Sequence, residues 1–249
     1  MHAQIVLFDG FDPLDVVAPF EVLHAGGTAS GGSLTVELVS AEGAREVVSG
    51  TGGLTLRATA ALDPERADLV LVPGASGRVG EAEDGAEEVF GEAAVGVPGA
   101  APGPQPAEGG AAPAEAVDQP IPVLIGRTLT TELPALLRAA MDDPSVTVAT
   151  VCGGSLVLAL AGLLEGRHAT THHLGLDLLD ATGAHAVRAR VVDDGDLVTG
   201  AGVTSGLDLA LYLLEREAGP RIAHAVEELF AHERRGTVWR DQGPVPAAL

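Results

Sequence analysis

The sequence predicts an α/β fold built on a doubly wound, mostly parallel β-sheet that is sandwiched by helices. Three observations support this prediction. Short apolar strands alternate with helical segments along the 249 residues. Several of these strands are almost continuously apolar, which is typical of parallel strands buried on both faces. Only 3% of the residues are aromatic, so the core must be mainly aliphatic, and aliphatic side chains suit flat layers of sheet and helix.

The first third of the chain supplies the start of this pattern. The run AQIVLFD is closed by Gly10, and Asp12-Pro13 then signals a turn into a helix, with Asp12 as its N-cap. The run DLVLVPG is nearly all apolar and is expected to be a central strand. The predicted elements are a strand at 3–9, a helix at about 14–25, and strands at 33–40, 53–60 and 68–74.

Residues 77–120 differ in composition from the rest of the chain. They are rich in Ala, Gly, Pro and Glu and carry few large apolar side chains. Such a segment buries too little surface to offset the entropy lost on ordering. We therefore predict a flexible insert at 77–120 within a single domain spanning residues 1–249, although length alone would also permit two smaller domains.

The α/β pattern returns with IPVLIG and continues through the second half of the chain. The run VTVATV leads directly into Cys152-Gly153-Gly154 and an apolar helical run. The predicted elements are a helix near 131–141, a strand at 146–151, a helix from 155, a short helix at 174–183, a hairpin at 187–200 that turns at Asp194-Gly195, and helices at about 203–218 and 220–233.

Charge and composition narrow the classes of function. The formal net charge of −21 repels phosphate backbones and anionic lipid surfaces, so we expect neither nucleic-acid nor membrane binding. There is no apolar run of membrane-spanning length and no secretory signal pattern at the N-terminus, and the single cysteine suits a reducing compartment. A cytoplasmic location is the expectation.

The single cysteine is the first candidate for chemistry. Cys152 follows a predicted central strand and precedes a helix, where open α/β sheets bind ligands and helix amides favour an anion. A sharp turn of this kind also exposes the nucleophile of many hydrolases. A lone cysteine is more often a small buried hydrophobic residue, but the strand-Cys-Gly-Gly-helix context favours a nucleophile held as a stabilised thiolate.

Three other groups of residues are candidates for chemistry or ligand binding. Asp15 lies among apolar residues, where burial would raise its pKa and suit a general acid or base, although it could equally be an ordinary first-turn helix residue. His172 and His173 could reach the same site, but adjacent side chains diverge and no metal motif is present. Gly200-Ala201-Gly202 resembles a phosphate loop only weakly, and a packing turn is the simpler interpretation.

Several segments together resemble the ThiJ/PfpI superfamily of class I glutamine amidotransferase-like proteins, which have a flavodoxin-like fold. They are FDGFDPLDVVAPFEVL, DLVLVPGA, VCGGSLVLALAGLLEGRHATTHH and RVVDDGDLVTGAGVTSGLDLALYLL. Within this superfamily the pattern is most similar to isonitrile (isocyanide) hydratases, which convert an isonitrile to an N-formamide, and to the sensory domains of AraC-type regulators.

The resemblance implies a role for each candidate residue. Cys152 corresponds to the nucleophile, Asp15 to its partner carboxylate, and Gly74-Ala75 to the oxyanion-binding segment. Gly153 and His172 complete the group predicted to bind the substrate. The resemblance further implies a small electrophilic substrate, no cofactor, no metal and a homodimer.

Two differences from the hydratases stand out. Hydratases usually carry Thr where this chain has Gly153, and a second Gly where it has Ala75. Peptidases and glyoxalases of the superfamily place His directly after the cysteine, so Gly153 argues against a Cys-His hydrolase. The C-terminal residues are too few for the DNA-binding domain of an AraC-type regulator. We therefore expect a hydratase, and keep as alternatives a sensor that uses Cys152 and a glyoxalase acting on small dicarbonyls.

Overall fold

A computed structural model of the protein describes residues 1–79, 119–245 and 247. Its strands are β1 (His2–Val6), β2 (Thr35–Ser40), β3 (Arg45–Val48), β4 (Thr55–Ala58), β5 (Ala60–Ala61), β6 (Leu69–Val72), β7 (Thr147–Val151), β8 (His168–Ala169), β9 (His185–Ala186), β10 (Val191–Asp193) and β11 (Leu197–Gly200). Its α-helices are α1 (Pro13–Ala29), α2 (Ile121–Thr128), α3 (Leu133–Asp142), α4 (Gly154–Leu160), α5 (Leu176–Ala181), α6 (Ser205–Ala218) and α7 (Pro220–Phe230).

A seven-stranded sheet organises the fold, in the order β10-β11-β7-β6-β1-β2-β5. All its pairs are parallel except the hairpin β10–β11. Every residue of β6 is buried, as its apolar sequence predicted. Two groups of helices pack around the sheet: α1 with α6 and α7, and α2 with α3 and α4. The predicted doubly wound α/β fold is confirmed.

Among the other predicted elements, one is confirmed and two differ in the structure. The hairpin is confirmed, with Asp194 N donating to Leu197 O at 2.8 Å and Gly195 at φ 86°. The strand predicted at 53–60 is divided, because β4 pairs antiparallel with β3 in a separate ribbon while β5 joins the main sheet. The apolar run IPVLIG forms helix α2, which the sequence left unassigned.

The two ends of the predicted insert lie side by side. The backbone N–H of Arg78 donates to Gln119 O at 2.9 Å, and Ile121 N donates to Arg78 O at 3.1 Å. Most of the insert predicted at 77–120 is outside the described residues, so its flexibility stays a prediction. Within the described part of the chain, no helix has the length and apolar character needed to cross a bilayer.

Candidate functional site

Cys152 lies at a sharp turn between β7 and α4. Its φ of 54° is in the left-handed region, where a residue with a Cβ is strained by about 1–3 kcal/mol. Its N–H donates to Gly200 O at 3.0 Å, which fixes the turn to the neighbouring strand. A Cβ on Gly154 would lie 2.2 Å from Val72 O, so glycine allows the turn to approach β6. The local geometry is therefore that of a nucleophile elbow.

Asp15 is completely buried in the first turn of α1. Its Oδ2 accepts a hydrogen bond of 2.9 Å from the Gly74 N–H, while its Oδ1 has no partner among the residues described. Asp12 serves as the N-cap that the sequence predicted, because its Oδ1 accepts from Leu14 N at 2.9 Å. The two acidic residues thus differ: Asp12 caps the helix, and Asp15 places a carboxyl in the interior beside the elbow.

The carboxyl of Asp15 and the thiol of Cys152 each shift the pKa of the other. Burial raises the pKa of Asp15 well above its usual value, and the nearby charge of Asp12 adds to this rise. Burial also raises the pKa of Cys152, and the charge of Asp15 reinforces the effect, whereas the Gly153 N–H opposes it. The expectation of a pKa lowered at a helix N-terminus is therefore wrong, because desolvation and the charge of Asp15 outweigh the effect of the helix amides.

The predicted oxyanion-binding segment divides into two parts. Gly74 N–H already donates to Asp15, so this amide positions the carboxyl. The Ala75 N–H has no acceptor in the described part of the chain, and it lies 3.9 Å from the point that a Cβ on Gly153 would occupy. The Gly153 N–H acts to lower the pKa of Cys152. Ala75 and Gly153 therefore remain the predicted donors to a developing negative charge.

His172 belongs to a segment that the structure brings to the elbow. The hydroxyl of the preceding residue, Thr171, donates to Cys152 O at 2.8 Å. His172 Nδ1 accepts from Leu174 N at 3.3 Å, so a neutral ring carries its proton on Nε2. Partial burial lowers the pKa of His172, and the adjacent His173 lowers it further. The substrate-binding role of His172 thus stays a prediction, in which the neutral ring donates a hydrogen bond from Nε2.

A buried network of hydroxyl groups beneath the elbow was missed by the sequence analysis. Ser155 Oγ bonds to Thr150 Oγ1 and donates to Thr170 O, both at 2.6 Å, and Thr199 Oγ1 accepts from Thr170 N at 2.8 Å. The one signal in the sequence was the Thr-Thr pair of ATTHH, since threonine in strands otherwise indicates only β-propensity. Among the residues described, no cluster of three or more His, Cys, Asp or Glu side chains could hold a metal ion.

One further wall of the site comes from α2. The Cδ1 atom of Ile125 lies 3.5 Å from the position of a Cβ on Gly153, and Leu124 packs against Gly10. Both side chains are buried. The surroundings of Gly153 therefore combine an aliphatic side chain with the backbone of Gly74 and Ala75.

Comparison with known sequences gives matches to part of the chain. Residues 127–216, which include Cys152 and His172, match the DJ-1/PfpI family. Isonitrile hydratase of Pseudomonas putida is 51% identical over 80 residues, which is 32% of this chain and 35% of that protein. The HTH-type transcriptional regulator CdhR of Pseudomonas aeruginosa is 38% identical over 106 residues, covering 42% of this chain and 31% of the regulator. The matches thus span about a third of each curated relative.

Similarity at the level of structure extends over nearly the whole chain. A ThiJ/PfpI family protein from Pseudomonas syringae superposes with a TM-score of 0.62 at 23% identity, covering 94% of this chain and 76% of that one. Drosophila melanogaster DJ-1beta gives a TM-score of 0.63 at 18% identity, covering 93% and 98%. At these identities the comparison establishes the fold. The match to the DJ-1/PfpI family is confined to residues 127–216, the part of the chain that contains the elbow.

Proposed function

We propose that the protein is a cysteine-dependent hydratase that converts an isonitrile, R–NC, to the N-formamide R–NH–CHO. The observation that carries this proposal is the completely buried carboxyl of Asp15, held by the Gly74 N–H so that it faces the thiol of Cys152. Hydration needs a nucleophile and a group that both accepts and returns a proton. The local similarity to isonitrile hydratase supports the same chemistry.

The first half of the reaction depends on Asp15 and Cys152, whose pKa values are both raised. As the sulfur of Cys152 attacks the terminal carbon of the isonitrile, its proton passes to the carboxylate of Asp15. Asp15 then returns this proton to the same carbon, which gives the thioimidate R–N=CH–S on Cys152. Because burial raises the pKa of Asp15, its carboxyl is a better acceptor of the thiol proton than an exposed carboxylate, and no preformed thiolate is required.

The second half consumes one water molecule. Its oxygen adds to the thioimidate carbon and one hydrogen goes to the nitrogen, so that the intermediate is R–NH–CH(OH)–S. The carbon–sulfur bond then breaks, the hydroxyl proton returns to sulfur by way of Asp15, and the formamide leaves. In this proposal the N–H groups of Ala75 and Gly153 donate to the oxygen as negative charge develops on it. No cofactor takes part.

The test is a pair of carboxamide substitutions assayed with cyclohexyl isocyanide, with methylglyoxal as the competing substrate. Asp15→Asn keeps an oxygen for the Gly74 N–H but removes the proton carrier, and we expect kcat to fall by about 10²–10⁴. Asp12→Asn is the matched control, because asparagine caps a helix as well as aspartate does, and its activity should stay near wild type. Turnover of methylglyoxal alone would replace the hydratase proposal with a glyoxalase.

A sensor domain is the second candidate, and it is favoured by the similarity to the regulator CdhR. Such a protein needs a ligand pocket and no turnover. A redox sensor is the weaker form of this alternative, because burial raises the pKa of Cys152, whereas redox-sensing thiols have low pKa values and are exposed. Saturable binding of an isonitrile by wild-type protein without formamide release would support the sensor. We further propose that the protein is a cytoplasmic homodimer. Light scattering of the purified protein tests the proposed oligomeric state.

A further inference from the structure

The segment that carries His172 is fastened to the elbow by hydroxyl groups. Ser155 Oγ donates to Thr170 O, and Thr199 Oγ1 accepts from Thr170 N. The third attachment differs from these two, because Thr171 Oγ1 donates to the carbonyl of Cys152 itself, at 2.8 Å. Thr171 therefore acts on the backbone of the residue that carries the thiol.

The carbonyl of Cys152 depends on this contact. The first helical hydrogen bond after the elbow goes to the next carbonyl, since Leu156 N donates to Gly153 O at 3.0 Å. Among the described residues, Thr171 is the only hydrogen-bond donor to the Cys152 carbonyl. Thr171 is 1% exposed and Cys152 is 7% exposed, so bulk water is poorly placed to replace the hydroxyl.

The contact also acts on a strained residue. Cys152 has a φ of 54°, and its N–H is held by Gly200 O while its carbonyl is held by Thr171. An unfavourable backbone conformation persists only where surrounding groups over-determine it. With one of the two anchors removed, the peptide would relax toward negative φ and the Cβ–Sγ bond would turn away from its present direction.

We infer that Thr171 is a positioning residue: its hydroxyl holds the Cys152 carbonyl, keeps the elbow in its left-handed conformation, and so aims the thiol at Asp15 and the Gly153 N–H. The inference concerns the geometry of the thiol and not its substrate. It would hold equally for a hydratase and for a sensor, so its test uses no turnover.

The single cysteine makes a direct test possible. Protein labelled with carbonyl-¹³C cysteine gives one native resonance, and loss of a hydrogen bond moves a carbonyl carbon upfield. Thr171→Val, nearly isosteric but without the hydroxyl, should move this resonance upfield. Thr171→Ser retains the donor and should leave it near the wild-type position. Ser155→Ala is the control, because it weakens the same network without touching Cys152.

A second readout follows the thiol. If the Cys152 side chain turns away from Asp15, its pKa falls toward the ordinary value, and each unit of fall raises the thiolate fraction about tenfold below both pKa values. Thr171→Val should therefore be alkylated by iodoacetamide several-fold faster at neutral pH than wild type, and faster than Ser155→Ala.

The outcomes separate positioning from plain stabilisation. A Thr171→Val protein that melts at a lower temperature but keeps the wild-type carbonyl resonance overturns the inference, as does a Thr171→Ser protein whose resonance moves as far as that of the valine variant. Thr171→Ala, which adds no bulk, replaces the valine variant if that fails to fold. The serine result is decisive by itself, because the inference requires the hydroxyl alone to keep the elbow in place.

Discussion

Gly74 is the position at which adding a single methyl group should disturb the site most. A Cβ at this position would lie 2.6 Å from Gly153 N, 2.9 Å from Asp15 Oδ2 and 3.1 Å from Gly153 Cα. Real Cβ atoms do not approach backbone atoms this closely, so Gly74→Ala must separate the elbow from the Asp15 carboxyl. The expected result is a loss of both stability and thiol chemistry.

The magnitude of the destabilisation follows from two contributions. Overpacking against backbone costs about 1–3 kcal/mol. Loss of the 2.9 Å hydrogen bond from Gly74 N to the buried carboxyl costs about 1–3 kcal/mol more. The sum, about 2–6 kcal/mol, corresponds to a fall in Tm of roughly 4–24 °C for a chain of this size. Differential scanning calorimetry measures the fall, and iodoacetamide alkylation reports the change at Cys152.

Gly153→Ala is the matched control. A Cβ on Gly153 would meet Ile125 Cδ1 at 3.5 Å, Gly74 Cα at 3.6 Å and Ala75 N at 3.9 Å, all ordinary contacts, and its φ of −70° suits any residue. The change reduces the freedom of the unfolded chain and should alter stability by less than about 1 kcal/mol, in the favourable direction. A Gly74→Ala protein as stable as wild type, or a Gly153→Ala protein as unstable as Gly74→Ala, would refute the reasoning.

Three further predictions concern buried polar groups and the insert. Ser205 Oγ is buried with no partner among the described residues, whereas Ser155 Oγ has two, so Ser205→Ala should be neutral or stabilising and Ser155→Ala should lose about 1–3 kcal/mol, both measured by urea unfolding. Because the folded pKa of Asp15 is raised, its contribution to stability is present below the unfolded pKa of about 3.9 and is lost as pH rises through the folded value. As the pH rises above about 4, Asp15→Asn should lose less stability than wild type, and an equal loss would contradict the assignment. Replacement of residues 80–118 by a short turn should preserve the fold and the melting temperature, because Arg78 N and Gln119 O are already 2.9 Å apart; aggregation of the shortened protein would argue against a dispensable insert.

The parts of the fold that follow from local pattern could be predicted from the sequence. The continuously apolar strand β6 and the hairpin turn at Asp194-Gly195 are recognisable because their signals lie within a few residues. The ribbon β3–β4 was harder, since four-residue strands carry little periodicity and their pairing is set by tertiary contacts. Helix α2 was missed for a related reason: a short, continuous apolar run does not distinguish a buried helix from a buried strand.

The same division applies to the site. The position of Cys152 between strand and helix could be predicted, because glycines and a change of periodicity mark the turn. The direction of its pKa shift could not, since it depends on how deeply the thiol is buried and on a carboxyl 137 positions earlier in the chain. The contacts of Thr171 and of Ile125 were likewise invisible, because long-range packing brings them to the elbow.

The measurement that most directly tests the central claim is mass spectrometry of Cys152 during turnover. Wild-type protein mixed with cyclohexyl isocyanide and quenched with acid should carry an adduct equal in mass to one isonitrile molecule. Peptide mapping should place it on the tryptic peptide that contains Cys152. Formamide should accumulate in the same samples, and Cys152→Ala should show neither adduct nor formamide. Formamide production by Cys152→Ala at the wild-type rate, or a reduced wild-type protein that forms neither species, would contradict the account.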